Sequence, residues 1–92
     1  MRVAGITGYI FTPHAEFEMR RRGIGRDAVL QVMSGPEQTE DVRPGRVVMQ
    51  SRMALEGRVF LVRVFVDVDR QPPEIVTVYR TSKVSKYWRA GK

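Results

Sequence analysis

The spacing of apolar residues changes partway along the chain and separates a helical part from a sheet part. Residues 13–22 and 26–34 show the spacing of two helices. Thr12-Pro13 is a helix start signal, because the hydroxyl can cap an orphan amide and proline suits the first helical position. Gly23 is predicted to end the first helix, and Gly35 the second.

In the second part of the chain the period is two, which is typical of strands. Residues 47–55 and 58–68 flank Glu56-Gly57. This predicts a two-residue hairpin, because Gly57 permits the positive φ that a primed turn requires. A short edge strand is predicted before the hairpin, at residues 38–42. A further strand is predicted at residues 74–82, after a linker whose two prolines cannot donate ladder hydrogen bonds.

The hairpin turn fixes the register of its strands, because Leu55 then lies opposite Arg58. One face is almost wholly apolar and pairs Met53 with Phe60, Ser51 with Val62, Met49 with Val64 and Val47 with Val66. The other face is mixed and pairs Arg52 with Leu61, Gln50 with Arg63, Val48 with Phe65 and Arg46 with Asp67. A slip of one residue would mix the two faces, so this pairing is the predicted one.

The strand at residues 74–82 can be seated in two ways. In the first, Val76 and Val78 point inward, and Thr77 and Tyr79 join the arginine-bearing face. In the second, Ile75, Thr77 and Tyr79 are buried instead. We expect the first seating.

This order of elements predicts an α+β fold with two helices packed on one face of a three- to four-stranded antiparallel sheet. A short strand or arm within residues 1–11 precedes the first helix, and a basic tail at residues 83–92 either frays or folds back onto the sheet. The 92 residues suffice for one core, so a single domain over 1–92 is expected. The sheet face away from the helices is expected to be open to solvent.

The charge balance narrows the choice of partners. Sixteen lysines and arginines against ten acidic residues leave a formal charge of +6, which favours a polyanion or an acidic protein. Arginine outnumbers lysine thirteen to three, and guanidinium groups both grip phosphate and stack on bases. The bias fits RNA contact, although GC-rich coding produces the same bias.

The residue types that are absent exclude several kinds of site. The chain has no cysteine, and His14 is its only histidine, so no disulfide framework, metal site or metal cofactor is expected. No apolar run reaches the length of a signal sequence or a membrane span. We therefore expect a cytoplasmic protein that does not bind membranes.

The predicted open sheet face is a candidate nucleic-acid surface, because cations can contact phosphates while aromatic rings stack on bases. Its predicted cations are Arg46, Arg52, Arg63, Arg80, Lys83 and Lys86, and its rings are Tyr79, Tyr87 and Trp88. In the plainer interpretation these are solvated residues of a half-exposed sheet.

A second candidate is the stretch HAEFEMRRRG at residues 14–23. His14, Glu18 and Arg22 stand one turn apart on the first predicted helix and share one stripe. In a structural interpretation they form surface ion pairs. In a functional interpretation Glu18 orients His14 for proton transfer near neutral pH, and Arg22 steadies a phosphate.

Part of this stretch resembles a known family of small bacterial proteins, domain of unknown function 4258. His14-Ala15, Met19, Arg22-Gly23-Ile24 and the later Val76-Thr77-Val78-Tyr79 are similar to its motifs HAxxRMxxRGI and VxTVY. The likeness spans residues 10–82. Where that family commonly has arginine before the methionine, this chain has Glu18.

The order of helices and strands in that family looks like the RelE and ParE toxins of bacterial toxin–antitoxin pairs. Those toxins use a basic sheet face either to cleave messenger RNA at the ribosome or to inhibit gyrase, and an acidic or amphipathic antitoxin covers them. The resemblance implies a toxin of this kind that binds RNA and cleaves it by acid–base chemistry without a metal. The implied catalytic residues are His14, Arg22 and Tyr79. The alternative is a non-enzymatic basic module that binds a protein or a nucleic acid.

Overall fold

A computed structural model describes residues 5–89 as an α+β fold of five strands and three helices. The strands are β1 (Ile10–Phe11), β2 (Gln38–Arg43), β3 (Arg46–Leu55), β4 (Arg58–Asp67) and β5 (Glu74–Thr81). The helices are α1 (Pro13–Arg22), α2 (Arg26–Ser34) and α3 (Val84–Tyr87). None of these helices is long and apolar enough to cross a membrane. Residues 1–4 of the predicted arm and 90–92 of the predicted tail lie outside the described residues.

Helix α1 has the predicted bounds because local signals set both of its ends. The Thr12 hydroxyl accepts a hydrogen bond from the Ala15 amide at 3.1 Å. At the other end Gly23 adopts a φ of 66°, and the Ile24 amide donates to the Met19 carbonyl at 2.9 Å. This arrangement is a Schellman motif, and it turns Ile24 into the core. Helix α2 also has its predicted bounds.

The β3–β4 hairpin confirms the predicted register at every pair, with Leu55 opposite Arg58 and Val47 opposite Val66. Glu56 and Gly57 take φ angles of 55° and 77°, the two positive values that define a type I′ turn. The turn thereby sets which side chains of the two strands face the helices.

The sheet is mixed, and the prediction of an antiparallel sheet of three or four strands is wrong in this respect. Its strand order is β1-β5-β4-β3-β2, in which β1 runs parallel to β5 and the other neighbours are antiparallel. The leading strand is also shorter than predicted. Before β1 the chain lies against the end of α2: the Ile6 amide donates to the Met33 carbonyl at 2.8 Å. A side chain at Gly5 would collide with the Ser34 carbonyl.

A β-bulge resolves how β5 is seated. Thr77 lies opposite Phe65, and Ile75 lies opposite Val66, so Val76 is an extra residue on β5. Thr77 and Tyr79 occupy the arginine-bearing face, as expected. The prediction that Val76 points into the core is wrong, because the bulge turns Ile75 inward in its place.

Both long helices pack on one face of the sheet, α1 mainly on β5 and α2 on β3 and β4. The core between them consists of apolar side chains from both layers: Ala15, Met19, Ile24, Val29, Val32, Met33, Met49, Met53, Val62, Val64, Val66, Ile75 and Val78. This layering agrees with the helix positions predicted from the sequence.

The second face of the sheet is closed at its centre, and the expectation of an open face is wrong there. Val48, Gln50, Leu61 and Arg63 are all buried on that face. The chain itself covers Gln50 and Arg63, because the segment after β5 folds back across the sheet, where the Tyr87 carbonyl accepts from Gln50 and the Tyr87 ring lies over Arg63. Of the two predicted arrangements for the tail, residues 83–89 adopt the folded-back one.

Candidate functional site

The folded-back segment, residues 84–89, is termed the C-terminal strap. Its far end is fixed by two reciprocal hydrogen bonds. The Gln38 side-chain amide donates to the Arg89 carbonyl at 3.0 Å, and the Arg89 amide donates to the Gln38 side-chain oxygen at 3.1 Å. Gln50 donates to the Tyr87 carbonyl at 3.2 Å, and Arg89 pairs with Glu40 at 3.2 Å. The strap is therefore held on β2 and β3.

Arg63 lies beneath the strap and is only 9% exposed. Its Nε donates to Gln50 Oε1 at 2.8 Å, and its Nη1 donates to the Tyr79 hydroxyl at 2.5 Å. Its Cζ lies 4.4 Å from the centre of the Tyr87 ring. Among residues 5–89 no carboxylate forms a salt bridge with Arg63. Its positive charge is therefore met by neutral oxygens and by the faces of aromatic rings.

Two phenols meet above this guanidinium. The rings of Tyr79 and Tyr87 are 6.1 Å apart and edge to face. Hydrogen bonding with the Tyr79 hydroxyl and with Lys86 lowers the pKa of the Tyr87 phenol below its ordinary value of 10.0, and the charges of Lys86 and Arg63 act in the same direction. Burial opposes the shift. Tyr87 therefore ionises more readily than a free tyrosine.

Arg22 reaches the same place from the last turn of α1, and its Cζ lies 5.7 Å from the centre of the Tyr79 ring. Its position is set by Glu18, whose Oε1 accepts from Arg22 Nε at 2.8 Å and from Arg21 Nη2 at 2.7 Å. These hydrogen bonds hold the pKa of the Glu18 carboxyl below its ordinary value of 4.5. We define the phenol cluster as the five side chains that meet here: Arg22, Arg63, Tyr79, Lys86 and Tyr87.

His14 does not belong to the phenol cluster. It is exposed at the first turn of α1, eight residues before Arg22 and so about 12 Å away along the helix axis. Within residues 5–89 its side chain makes no hydrogen bond. The prediction that Glu18 orients His14 is wrong: in the part of the chain that the structure describes, Glu18 accepts side-chain hydrogen bonds from Arg21 and Arg22 and none from His14. Of the three predicted catalytic residues, the structure brings together Arg22 and Tyr79.

Three of the predicted nucleic-acid contacts are already paired with acidic side chains. Arg46 binds Asp67 at 2.6 Å, Arg52 binds Glu37 at 3.1 Å, and Arg80 approaches Glu56 at 3.5 Å. Arg80 also lies opposite Val62, on the helix side of the sheet, so its placement on the arginine-bearing face is wrong.

Lys83 and Lys86 differ from these arginines. Both are exposed on or just before the strap, and neither forms a salt bridge in the part of the chain that the structure describes. The predicted cations therefore fall into three groups. Arg46, Arg52 and Arg80 are paired with carboxylates, Arg63 is buried against neutral partners, and Lys83 and Lys86 are exposed without a salt bridge within residues 5–89. Lys83 and Lys86 can contact an anionic ligand without first giving up a carboxylate.

Sequence reasoning missed the side chains that hold the strap. Tyr87 was expected only as a flanking ring, and no role was expected for Gln38 or Glu37. The one available signal was Gln50, a polar residue placed opposite Arg63 by the register. Among residues 5–89 no three histidine, cysteine or acidic side chains are grouped as metal ligands would be.

The arrangement joins two phenols, an ammonium group and two guanidinium groups at one surface. The sequence profile of the family described as Domain of unknown function (DUF4258) matches residues 11–80. This range contains Arg22, Arg63 and Tyr79 but not the strap. No curated protein and no solved structure gives a significant match. Because the profile covers more than half of its residues, the chain belongs to the DUF4258 family.

Proposed function

We propose that this protein binds RNA and cleaves it at the phenol cluster by acid–base chemistry without a metal. One observation carries the proposal: two phenols, one with a lowered pKa, stand between a buried guanidinium and an exposed ammonium group. Cations beside a titratable hydroxyl are what phosphodiester cleavage requires, because a proton must move while negative charge grows at phosphorus.

Each member of the cluster has a role in this proposal. The Tyr87 phenolate removes the proton of a ribose 2′-hydroxyl, and the 2′-oxygen then attacks phosphorus. Lys86 donates a proton to the 5′-oxygen as the P–O5′ bond breaks, which leaves a 2′,3′-cyclic phosphate and a 5′-hydroxyl. Arg22 faces the phosphate, while Arg63 polarises the Tyr79 hydroxyl from beneath.

The biological role that we propose is that of a RelE-like toxin acting on RNA in the cytoplasm and neutralised by an acidic antitoxin. The support is the order of two long helices followed by the four antiparallel strands β2 to β5, together with the formal charge of +6. An acidic partner can mask such a surface without any change of fold. Growth arrest on expression of this protein alone, relieved by a neighbouring small gene, is the expected result; harmless overexpression contradicts the toxin role.

Cleavage is tested with an end-labelled RNA in the presence of a chelator. Tyr87→Phe should lower the cleavage rate by about 100-fold or more, because the base is lost, while RNA affinity changes little. The rate of the unaltered protein should rise with pH up to the lowered pKa of Tyr87, below 10.0. This rise should be absent in Tyr87→Phe. Tyr9→Phe is the matched control, since Tyr9 packs against Phe11 away from the cluster.

The same experiment separates the enzyme from a binding module. A protein that binds RNA with a steep salt dependence but never cleaves it is the non-enzymatic alternative. In either case Arg46, Arg52 and Arg80 are already paired with carboxylates, so Lys83 and Lys86 are the predicted cations that we expect to contact phosphate. Cleavage of an RNA whose scissile nucleotide lacks the 2′-hydroxyl would contradict the mechanism. Absence of any salt-dependent binding would remove RNA as the ligand.

A further inference from the structure

A second site lies next to the phenol cluster, on the outer side of the strap. It is a cavity of about 260 Å³ between the end of α2, the start of β2 and the middle of β3. Its walls are formed by Gly35, Pro36, Glu37, Arg52 and Trp88. The phenol cluster uses none of these side chains, so this cavity is free for another group of the ligand.

The cavity contains an aromatic plane and two opposite charges. Arg52 Cζ lies 4.0 Å from the centre of the Trp88 ring, so the guanidinium covers one face of the indole. Glu37 Oε1 accepts from the Arg52 amide at 2.8 Å and from Arg52 Nε at 3.1 Å. Glu37 Oε2 accepts only from Arg52 Nη2, at 3.2 Å.

The backbone contact makes this ion pair exchangeable. Because the Arg52 amide holds Oε1, the carboxylate keeps its position when the guanidinium turns away. Both side chains are well exposed, and an exposed ion pair contributes little stability, so a ligand can separate it readily. A ligand that does so must offer donors to Glu37 and acceptors to Arg52, or it leaves one charge unpaired.

Of the four RNA bases, guanine is the one that offers both the donors for Glu37 and the acceptors for Arg52. Its N1–H and N2–H₂ groups present two adjacent donors to a carboxylate, and its O6 and N7 present two adjacent acceptors to a guanidinium. Adenine and cytosine each place a ring acceptor beside the amino group that Glu37 would need. Uracil has a single ring donor. Any base can stack on tryptophan, so the Trp88 ring contributes affinity for every base. The Glu37–Arg52 pair determines which base is preferred.

We propose that this cavity, the Trp88 pocket, binds a guanine base, which replaces Arg52 on the indole face and bridges Glu37 and Arg52. The inference rests on the proposed RNA ligand and names its base preference. Trp88 directly follows Tyr87, and Gln50 contacts both Arg63 and the Tyr87 carbonyl. A guanine in the pocket therefore brings its own phosphate toward the phenol cluster.

The test uses the protein's only tryptophan as its probe. Titration with GMP, AMP, CMP and UMP, followed by Trp88 fluorescence, should show quenching by GMP at a Kd about tenfold or more below the other three. Glu37→Gln should weaken GMP binding about tenfold and abolish the preference, because an amide cannot accept both donors. Glu56→Gln is the matched control: it alters another exposed carboxylate beside an arginine, away from tryptophan.

Arg52→Lys is a second variant, in case Glu37→Gln unfolds. It keeps the charge but loses the planar fork, so the GMP preference should fall while thermal unfolding changes little. Equal Kd values for the four nucleotides, no quenching by millimolar GMP, or a preference retained in both variants would overturn the proposal. These outcomes leave RNA cleavage at the phenol cluster standing. Preferential GMP binding by a protein that cleaves no RNA contradicts the proposed enzyme and leaves the pocket standing.

Discussion

At the scale of single residues, two buried charged side chains, Glu18 and Arg63, have opposite kinds of surroundings. Glu18 is 7% exposed and receives two guanidinium groups, whereas Arg63 is 9% exposed and, within residues 5–89, receives no group of opposite charge. A buried charge that is paired with opposite charges is needed for stability, because breaking the pair leaves an uncompensated charge. The charge of Arg63 contributes to lowering the pKa of the Tyr87 phenol, which makes Arg63 a candidate for function and Glu18 one for stability.

Glu18 should make the stability of the protein sensitive to acid. Its folded-state pKa lies below the ordinary 4.5, so its contribution is fully present above the unfolded pKa and is lost as the pH falls through the folded value. Glu18→Gln should lower the free energy of unfolding at neutral pH. It should also flatten the decline of that free energy below about pH 4.5. Urea unfolding over a pH series measures both effects.

Glu16→Gln provides the control, because the Glu16–Arg26 pair at 2.5 Å is more exposed and should contribute little. Equal losses in the two variants would contradict the distinction between the carboxylates.

The motif residues show how far single positions could be predicted. Ala15, Met19 and Ile24 are buried, and Gly23 supplies the left-handed turn, so packing explains these positions. Their roles follow from helical periodicity and could be predicted from the sequence. The isolation of His14 could not be predicted from the sequence. His14 and Arg22 share one stripe of the helix with Glu18, and helical periodicity alone does not show which of them donates to the Glu18 carboxylate.

At the scale of elements, the Glu56-Gly57 turn depends on local backbone conformation, so its contribution to the free energy of unfolding can be measured by single substitutions. Gly57→Ala should destabilise the protein by about 1 kcal/mol, because an L residue at a φ of 77° is strained even where no atom lies within 4 Å. Glu56→Asn should stabilise it by about 0.5 kcal/mol, because asparagine tolerates a φ of 55° better than glutamate. Chemical denaturation measures both. A stabilising alanine at position 57 would contradict the turn type.

Elements set by local sequence were predicted well, and elements set by distant contacts were not. Caps fixed α1, and the turn fixed the register of β3 and β4, since both depend on residues close in sequence. The parallel pairing of Ile10 with Glu74 and the bulge at Val76 depend on contacts between distant segments. No local pattern distinguishes such pairings from a plain strand.

At the scale of the whole molecule, the position of the strap determines how much of the sheet face away from helices α1 and α2 is exposed. Its composition predicted aromatic and basic character, yet its place depends on Gln38 and Gln50, which lie far away in sequence. The predicted cationic surface is therefore partly closed, and of its predicted cations Lys83 and Lys86, on or just before the strap, remain exposed without a salt bridge within residues 5–89. The Trp88 pocket was not predicted for the same reason, because it forms only when the strap is seated.

The strap should open locally once its clamp is removed. Gln38→Ala eliminates both hydrogen bonds to Arg89, so trypsin should cut after the exposed Lys86 about tenfold faster. Global stability should change much less. Gln31→Ala, on the exposed surface of α2, is the control and should leave the digestion rate unchanged. An unchanged rate in Gln38→Ala would show that the clamp does not hold the strap.

The central hairpin also has a consequence for the order of folding. The strands β3 and β4 meet through a two-residue connection, whereas Ile10 must find Glu74 across most of the chain. Loop closure is entropically easier for near neighbours, so we expect the β3–β4 hairpin to form the folding nucleus and helix α1 to dock late. Mutations in the Glu56-Gly57 turn should then slow folding, and mutations in α1 should mainly accelerate unfolding.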